Sequence, residues 1–491
     1  MRNRIAWITM MAALPACYTT APLREPTVHV APAYGVTLAH GTPDAGPPRV
    51  TPAENTTAPA PSVHYRASPE VPPFWRDLRD STLTILITEA LHASPSIRSA
   101  EARLTEARAT RRLAALEFGP SGNASASVLR SQQSVYQVPG LSSQLPHRDL
   151  YDFGFDASWE LDIFGRTRRT VSAQGALATS AAYGLEDVQV SLAAEVARTY
   201  FELRGAERQL AVARRNAENQ RHTVSLTEDR LRAGRGTAFD TERARSVLQL
   251  TLASLPAIEL QIAANRIRLG TLLGKPAAEL PRAVYAATDL PPLPDSLAVG
   301  SPAELIRHRP DVLRAERLLA ASALFAGAAR ADYLPRLSIG AVVGYTATRF
   351  QSLTSAGASR ILIGPVVSLP LLDFGRVRER TMVAESLEDD ARAQYDATIL
   401  GAIEEAETSF VAYDRTHSRV AILTDAVRAS AHATELAQQR FEAGLTDFFQ
   451  VLDAQRTLLD AENQLAIAHT SAATALVAIF KAVGGRWADK P

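Results

Sequence analysis

Cys17 is the only cysteine in this 491-residue chain, and its neighbours set its chemistry. Arg2 and Arg4 precede a short apolar run, Ile5 to Ala13, and Leu14-Pro15-Ala16 leads into the thiol. This order matches a secretory signal of the lipoprotein kind, in which residues 1–16 are removed and the exposed cysteine is acylated. Pro15 beside the cut is unusual for that motif. Buried acyl chains contribute about 0.8 kcal/mol per methylene, so Cys17 is expected to hold the mature N-terminus in a membrane leaflet. A lone cysteine leaves no disulfide framework and no multi-cysteine metal site.

Other reactive side chains form no catalytic pattern. There is no phosphate-binding GxxxxGK, no GxSxG and no HExxH, and the 10 histidines do not fall at ligand spacing. No enzyme activity, metal or cofactor beyond the lipid on Cys17 is therefore expected. Asp311 follows Pro310, and a proline with an acid in a first helical turn is a start signal. Asp453 and Arg456 lie three apart and can pair on a helix, within a chain or between chains. An exposed pair of this kind contributes only about 0.2–0.5 kcal/mol, so repetition or burial is needed before it holds anything shut.

The elements that position these residues come from a duplication. IRSAEARLTEARATRRLAALEFGP lies about 215 residues before VLRAERLLAASALFAGAARADYLP, aligning Pro95 with Pro310, Glu101 with Glu316 and Pro120 with Pro335. ELDIFGRTRR matches LPLLDFGRVRE, and RLRAGRGTAFDTERARSVL matches RFEAGLTDFFQVLDAQRTL, at an offset of about 210. The segments keep their order, so one unit occurs twice: residues 74–280 and 303–487, joined by a Pro-rich linker over 281–302. Residues 17–73, crowded with Pro, Thr, Ala and Gly, read as an extended, mostly irregular tether, with ordered structure expected from Phe74-Trp75. The formal charge is zero, so nothing steers the whole chain to nucleic acid.

Each repeat offers long helices and one strand hairpin. Apolar content of 46% with 6% aromatic suits helices that bury against other helices. YDFGFDASWELD, Tyr151 to Asp162, alternates Phe153, Phe155, Ala157, Trp159 and Leu161 with Asp152, Gly154, Asp156, Ser158 and Glu160, a period of two. With a weaker strand from Ser121 to Arg130 it makes a hairpin over 121–162. Residues 336–350 and 359–373 make the second, over 336–373. Such strands of about ten residues suit either a soluble sheet or a tilted transmembrane barrel. No uninterrupted apolar run of about 18–25 residues follows the signal, which excludes a helical span, so a membrane crossing requires a closed barrel. Residues 164–232 lack proline and carry heptad-spaced Val196, Leu203 and Leu210; residues 375–443 repeat this with Tyr413, Val420 and Val427. About 68 residues of helix is on the order of 100 Å. Gly234 and Gly444 end these helices, giving helical tips over 232–240 and 443–450, with Thr237, Asp240, Thr446 and Asp447 as candidate caps.

WELDIFGRTRR (Trp159 to Arg169), RHRPDVLRAERLLAA (Arg307 to Ala321), LPRLS (Leu334 to Ser338), GLTDFFQVLDAQRTLLDAENQLA (Gly444 to Ala466) and IFKAVGGRW (Ile479 to Trp487) resemble the TolC-like outer-membrane efflux proteins. The likeness is to their lipoprotein, NodT-type branch, which serves resistance-nodulation-division pumps. It implies a mainly α fold with a β-barrel part: long coiled-coil-like helices form a periplasmic α-barrel. Four strands per chain complete a twelve-stranded barrel in a homotrimer. The implied function is a passive duct that exports small molecules or drugs with a periplasmic membrane-fusion adaptor and an inner-membrane pump. Tyr18, where sorting signals carry Asp, favours the outer membrane.

By the same resemblance, Phe449, Asp453 and Arg456 match positions that constrict the periplasmic entrance. Gly234, Gly444 and Leu445 sit where an adaptor would touch, although helix capping explains the glycines as well. The first tip lacks the aromatic pair and the Asp-Ala-Gln-Arg of the second, so the constriction is expected from one tip per chain. Glu404, Glu405 and Glu407 either line the tunnel or form a solvated helix face. A duct for protein secretion or metal ions is an alternative, as is an acylated coiled-coil scaffold without a pore, which would have no need of membrane-length strands.

Overall fold

The computed structural model describes Tyr34 and residues 63–67, 78–132, 134, 147–286, 290–299 and 301–484. Cys17, the signal over 1–16 and the expected start at Phe74-Trp75 lie outside the described residues. In chain order the elements are β1 (His64–Ala67), α1 (Ser81–Ala93), α2 (Pro95–Leu116), β2 (Ser121–Ser131), β3 (Arg148–Leu161), α3 (Arg166–Arg232), α4 (Ala238–Leu273) and β4 (Ser296–Val299). There follow α5 (Pro302–His308), α6 (Pro310–Ala331), β5 (Arg336–Ala347), β6 (Ser359–Ser368), α7 (Phe374–Glu442) and α8 (Phe448–Ala482). The two repeats are evident: α1–α2, hairpin and α3–α4 recur as α5–α6, hairpin and α7–α8. Helices α3 and α7 run 67 and 69 residues without a break.

Two compact units divide the chain. One holds the described residues within 103–182 and 314–396, and with them the sheet in the order β2-β3-β5-β6, antiparallel throughout. Strand β6 stops at Ser368, short of the expected 373, because Pro370 has no N–H to donate to a ladder. The step from β3 into α3 shows what the WELDIFGRTRR motif does. The Trp159 indole N–H donates to Phe118 O at 2.6 Å, and Arg166 grips Glu160 with Nε at 3.1 Å and Nη2 at 3.0 Å. The Asp162 carboxylate accepts from the Thr167 and Arg168 backbone N–H groups, so it caps the new helix.

The other unit contains the described residues within 28–102, 183–313 and 397–491. Its core is helical: Leu83, Leu86, Ile87, Tyr200, Phe201, Phe410 and Tyr413 are fully buried. Asp80 caps α1 by accepting from Leu83 N and also receives the Tyr200 hydroxyl at 2.7 Å. Burial, together with that hydrogen bond, pushes the Tyr200 phenol up to about 12.

Within the mostly irregular tether and the Pro-rich linker, β1 pairs in parallel with β4, His64 opposite Ser296 through Ala67 opposite Val299. The linker is fixed further by Arg204, whose fully buried guanidinium donates to the carbonyls of Ala283 at 2.9 Å and Ala286 at 2.6 Å. Apolar stretches interrupted by a few polar residues do occur in two helices. Helices α4 and α8 each contain an 18-residue window of mean hydropathy 1.4 and 1.5, enough by length and composition to cross a membrane. Over half of the α8 window is buried inside the protein, which accounts for its apolarity.

Candidate functional site

The sheet has two chemically different faces, fixed by register. Phe155 lies opposite Ala124 on β2 and Val343 on β5, and Val343 lies opposite Ile361. Because directly opposed residues share a face, Phe153, Phe155, Trp159, Val343, Tyr345, Ile361 and Ile363 stand together, and all are exposed. The other face carries Asn123, Ser125, Ser158 and Thr346 with the carboxylates Asp152, Asp156 and Glu160, so it is polar along β2 and β3, while Val342, Leu362 and Val366 keep it apolar toward β6. Such a sheet suits lipid on one side and water on the other.

A charged clasp crosses the polar face. Arg360 stands opposite Gly344, which stands opposite Gly154. With no side chains on those two residues, the guanidinium reaches over both to Asp152 Oδ1 at 2.8 Å, and Thr346 donates to Asp152 Oδ2 at 2.7 Å. A Cβ on Gly344 would lie 2.5 Å from Phe153 O, so the glycine pair is also what lets β3 and β5 approach. Glu160 is held by Arg166, which leaves Asp156 as the carboxylate on this face without an ion pair among the described residues.

The helical tips form the second candidate site. Both long helices end in the same turn, with Gly234 at φ 70° and Gly444 at φ 76°. Arg235 N donates to Arg230 O at 2.8 Å and Leu445 N to Arg440 O at 2.9 Å, the closure of a left-handed helix end. A Cβ at either glycine meets nothing, so backbone conformation alone accounts for them. Leu445 is exposed beside its turn. Of the candidate caps, Thr237 and Asp447 serve: each accepts from the backbone N–H three residues on.

Of the aromatic pair in the second tip, Phe448 turns inward and Phe449 outward. Phe448 meets Phe441 at 5.6 Å between ring centroids in a cluster with Ala244, Val451 and Leu452. Phe449 remains 51% exposed and borders an open cavity of about 430 Å³ with Asp453 and Thr457. Asp453 and Arg456 are both exposed and form no ion pair within the chain among the described residues, so the intrachain option for that pair is not taken up. The two tips are instead joined by arginines of the first hairpin. Arg230 lies 3.7 Å from the Phe441 ring centroid and donates to Phe441 O at 2.8 Å; Arg243 lies 4.7 Å from the Phe449 centroid. Arg230 carries no sequence signal of this role. The repeat offset does single out Arg243, which occupies in the first tip the position of Asp453 in the second.

Of the glutamate cluster, Glu404 is exposed and Glu405 belongs to a structural hub. Glu405 is gripped by Arg309 at 2.7 Å and Lys481 at 2.8 Å, and Arg309 also binds Asp311 at 2.7 Å and donates to Ala482 O. Burial raises the Glu405 pKa, but its hydrogen bonds to Lys481 and Arg309 outweigh that and hold the carboxyl below the ordinary value. Glu405 is therefore bound up in pairing and does not offer a free charge to a conduit. Among the described residues no group of three His, Cys, Asp or Glu side chains is placed to hold a metal.

The model of the outer membrane efflux protein family matches the chain twice, over residues 86–275 and 302–485, once per repeat. The pyoverdine export outer membrane protein OpmQ of Pseudomonas putida is 30% identical over 85% of this chain and 89% of its own length. Outer membrane protein OprJ of Pseudomonas aeruginosa is 31% identical over 83% and 85%. Among solved structures, the outer-membrane channel OprN superposes with a TM-score of 0.83 at 36% identity, covering 90% of this chain and 99% of that one.

Proposed function

The chain belongs to the outer membrane efflux protein family, and from that premise we propose that three copies close into one duct. It is an outer-membrane channel of the efflux type with the α-barrel and β-barrel fold of its structural neighbours. The observation that carries the trimer is the sheet β2-β3-β5-β6, whose outer strands, of 11 and 10 residues, each leave one edge unpaired. Exposed edges of that length are an invitation to pair, and in lipid they are not tolerated. Four strands are too few to enclose water, whereas three such sheets make twelve and leave no edge. Helix α4 supports the same reading, because Leu250, Leu260 and Ile267 are exposed on the isolated chain.

In this reading the apolar face of the sheet meets lipid and the polar face lines the lumen. Phe449, held under Arg243, is the ring that narrows the periplasmic end, and Asp453 and Arg456 pair between neighbouring chains. Gly234, Gly444 and Leu445 present the two turns to a periplasmic adaptor, through which an inner-membrane resistance-nodulation-division pump delivers small molecules. Cys17, acylated, anchors the N-terminus in the outer membrane. Transport through such a duct asks no bond-making of the chain.

Purified full-length protein tests this directly. The expected result is a trimer mass in detergent, a heat-modifiable band on electrophoresis, and single-channel conductance in planar bilayers. A monomer that forms no channel would overturn the reading.

A further inference from the structure

A polar cavity of about 390 Å³ lies among α3, α7 and α8, next to the Phe441–Phe448 contact. Gln220 on α3 lines it, is 6% exposed, and has its Oε1 buried without a partner. Gln455 on α8 lines it too; its Nε2 donates to Thr223 Oγ1 at 3.1 Å, and its Oε1 is likewise buried and unpartnered. Leu226, Phe448 and Leu458 supply an apolar wall, and beside the amides the lining includes His222 but no Asp, Glu, Lys or Arg.

Two buried amide oxygens left unpaired in one cavity are costly, and native proteins seldom leave such groups without a donor. The volume exceeds the need of a bridging water, at about 30 Å³ each, and falls in the range of about 300–1,000 Å³ that small ligands occupy. The lining disfavours ions, since no carboxylate, lysine or arginine faces the space to compensate one. It selects for a flat apolar body against Phe448 and Leu458 with a hydrogen-bond donor at its end.

We propose that this cavity is a binding site for a small neutral aromatic bearing a hydrogen-bond donor, of the phenol class, which bridges Gln220 of the first helical hairpin to Gln455 of the second. A phenol hydroxyl has one proton, so it donates to one of the two amide oxygens and accepts from the NH2 of the other amide once that amide is turned over. An occupant touches α3 on one side and α7–α8 on the other, immediately beside the Arg230–Phe441 contact that joins the tips. It therefore resists any separation of the two hairpins. This consequence for conduction rests on the channel reading; the binding itself does not.

Fluorine NMR of the detergent-solubilised full chain, with 4-fluorophenol as probe and fluorobenzene as the control without a donor, tests the site. Saturable binding of 4-fluorophenol is expected, weakened about three- to tenfold by Gln220→Leu or Gln455→Leu, the loss of one hydrogen bond. Leu226→Trp fills the cavity and is expected to abolish binding while helicity and heat-modifiable migration stay as in the parent. Equal binding across all three variants, binding of fluorobenzene as tight as that of the phenol, or micelle partition alone would overturn the proposal. In planar bilayers the phenol is expected to lower conductance of the parent but not of Leu226→Trp. Saturable binding to a protein that never conducts would remove the channel reading and leave the site standing.

Discussion

Replacing Phe155 by arginine tests the assignment of the two sheet faces where it is most exposed to failure. Phe155 lies near the middle of the 14-residue β3, opposite Ala124 and Val343, and is 51% exposed on the isolated chain. On a lipid-facing barrel position near the bilayer midplane an arginine costs about 2–4 kcal/mol. Three such residues in the proposed trimer cost about 6–12 kcal/mol, comparable with the whole stability of a folded domain at about 5–15 kcal/mol. Asp156→Arg places the same side chain one residue along, on the opposite face beside Asn123, where water solvates it and the cost is within about 0.5 kcal/mol. Outer-membrane fractionation followed by heat-modifiable electrophoresis reads both. Phe155→Arg is expected to deplete the membrane trimer severely, and Asp156→Arg to leave it near the parent level. The reverse pattern would mean that the faces have been assigned inside out, and equal tolerance of both would remove the sheet from lipid altogether.

Arg243→Ala removes a half-exposed cation–π contact of about 0.5–1 kcal/mol, so three chains opening together gain about 1.5–3 kcal/mol, a rise in open probability of roughly tenfold to over a hundredfold in single-channel recordings. Asp453→Ala with Arg456→Ala is expected to raise conductance as well; an unchanged trace in a folded trimer would take that pair out of the constriction. A Cβ at Gly205 would overlap Thr470 Oγ1, so Gly205→Ala should destabilise by about 1–3 kcal/mol in thermal unfolding, with partial recovery in the double variant with Thr470→Ala. The lowered Glu405 carboxyl contributes stability that is complete above the ordinary value of 4.5 and is lost as pH falls through the lowered one. Acid titration of unfolding should therefore be flatter in Glu405→Gln below pH 4.5; identical acid limbs would show that the hub carries no such linkage.

Periodicity made the large elements legible. The Phe153–Leu161 alternation marks β3, the proline-free heptads mark α3 and α7, and the Gly234 and Gly444 turns fall where the glycines stand. What escaped depends on partners distant in sequence. Strands β1 and β4 are four residues each and pair across more than 200 residues, so neither has a pattern long enough to see. The buried state of Arg204 is set by carbonyls of a turn that composition marks only as linker. Glu405 looked like part of an acidic cluster because Arg309 and Lys481 are remote in the chain. Asp453 and Arg456 have the spacing of a pair, but that spacing permits contact without enforcing it, and both side chains extend into the open.

The repeat equivalence of Arg243 and Asp453 has an electrostatic meaning for assembly. In the proposed trimer the tips alternate around the axis, first repeat then second, so these equivalent positions carry alternating signs. Six identical tips would set six like charges in one circle, and closing it would be work against mutual repulsion. Duplication followed by divergence converts that circle into one of opposite neighbours, which draws together by default and needs an outside force to part.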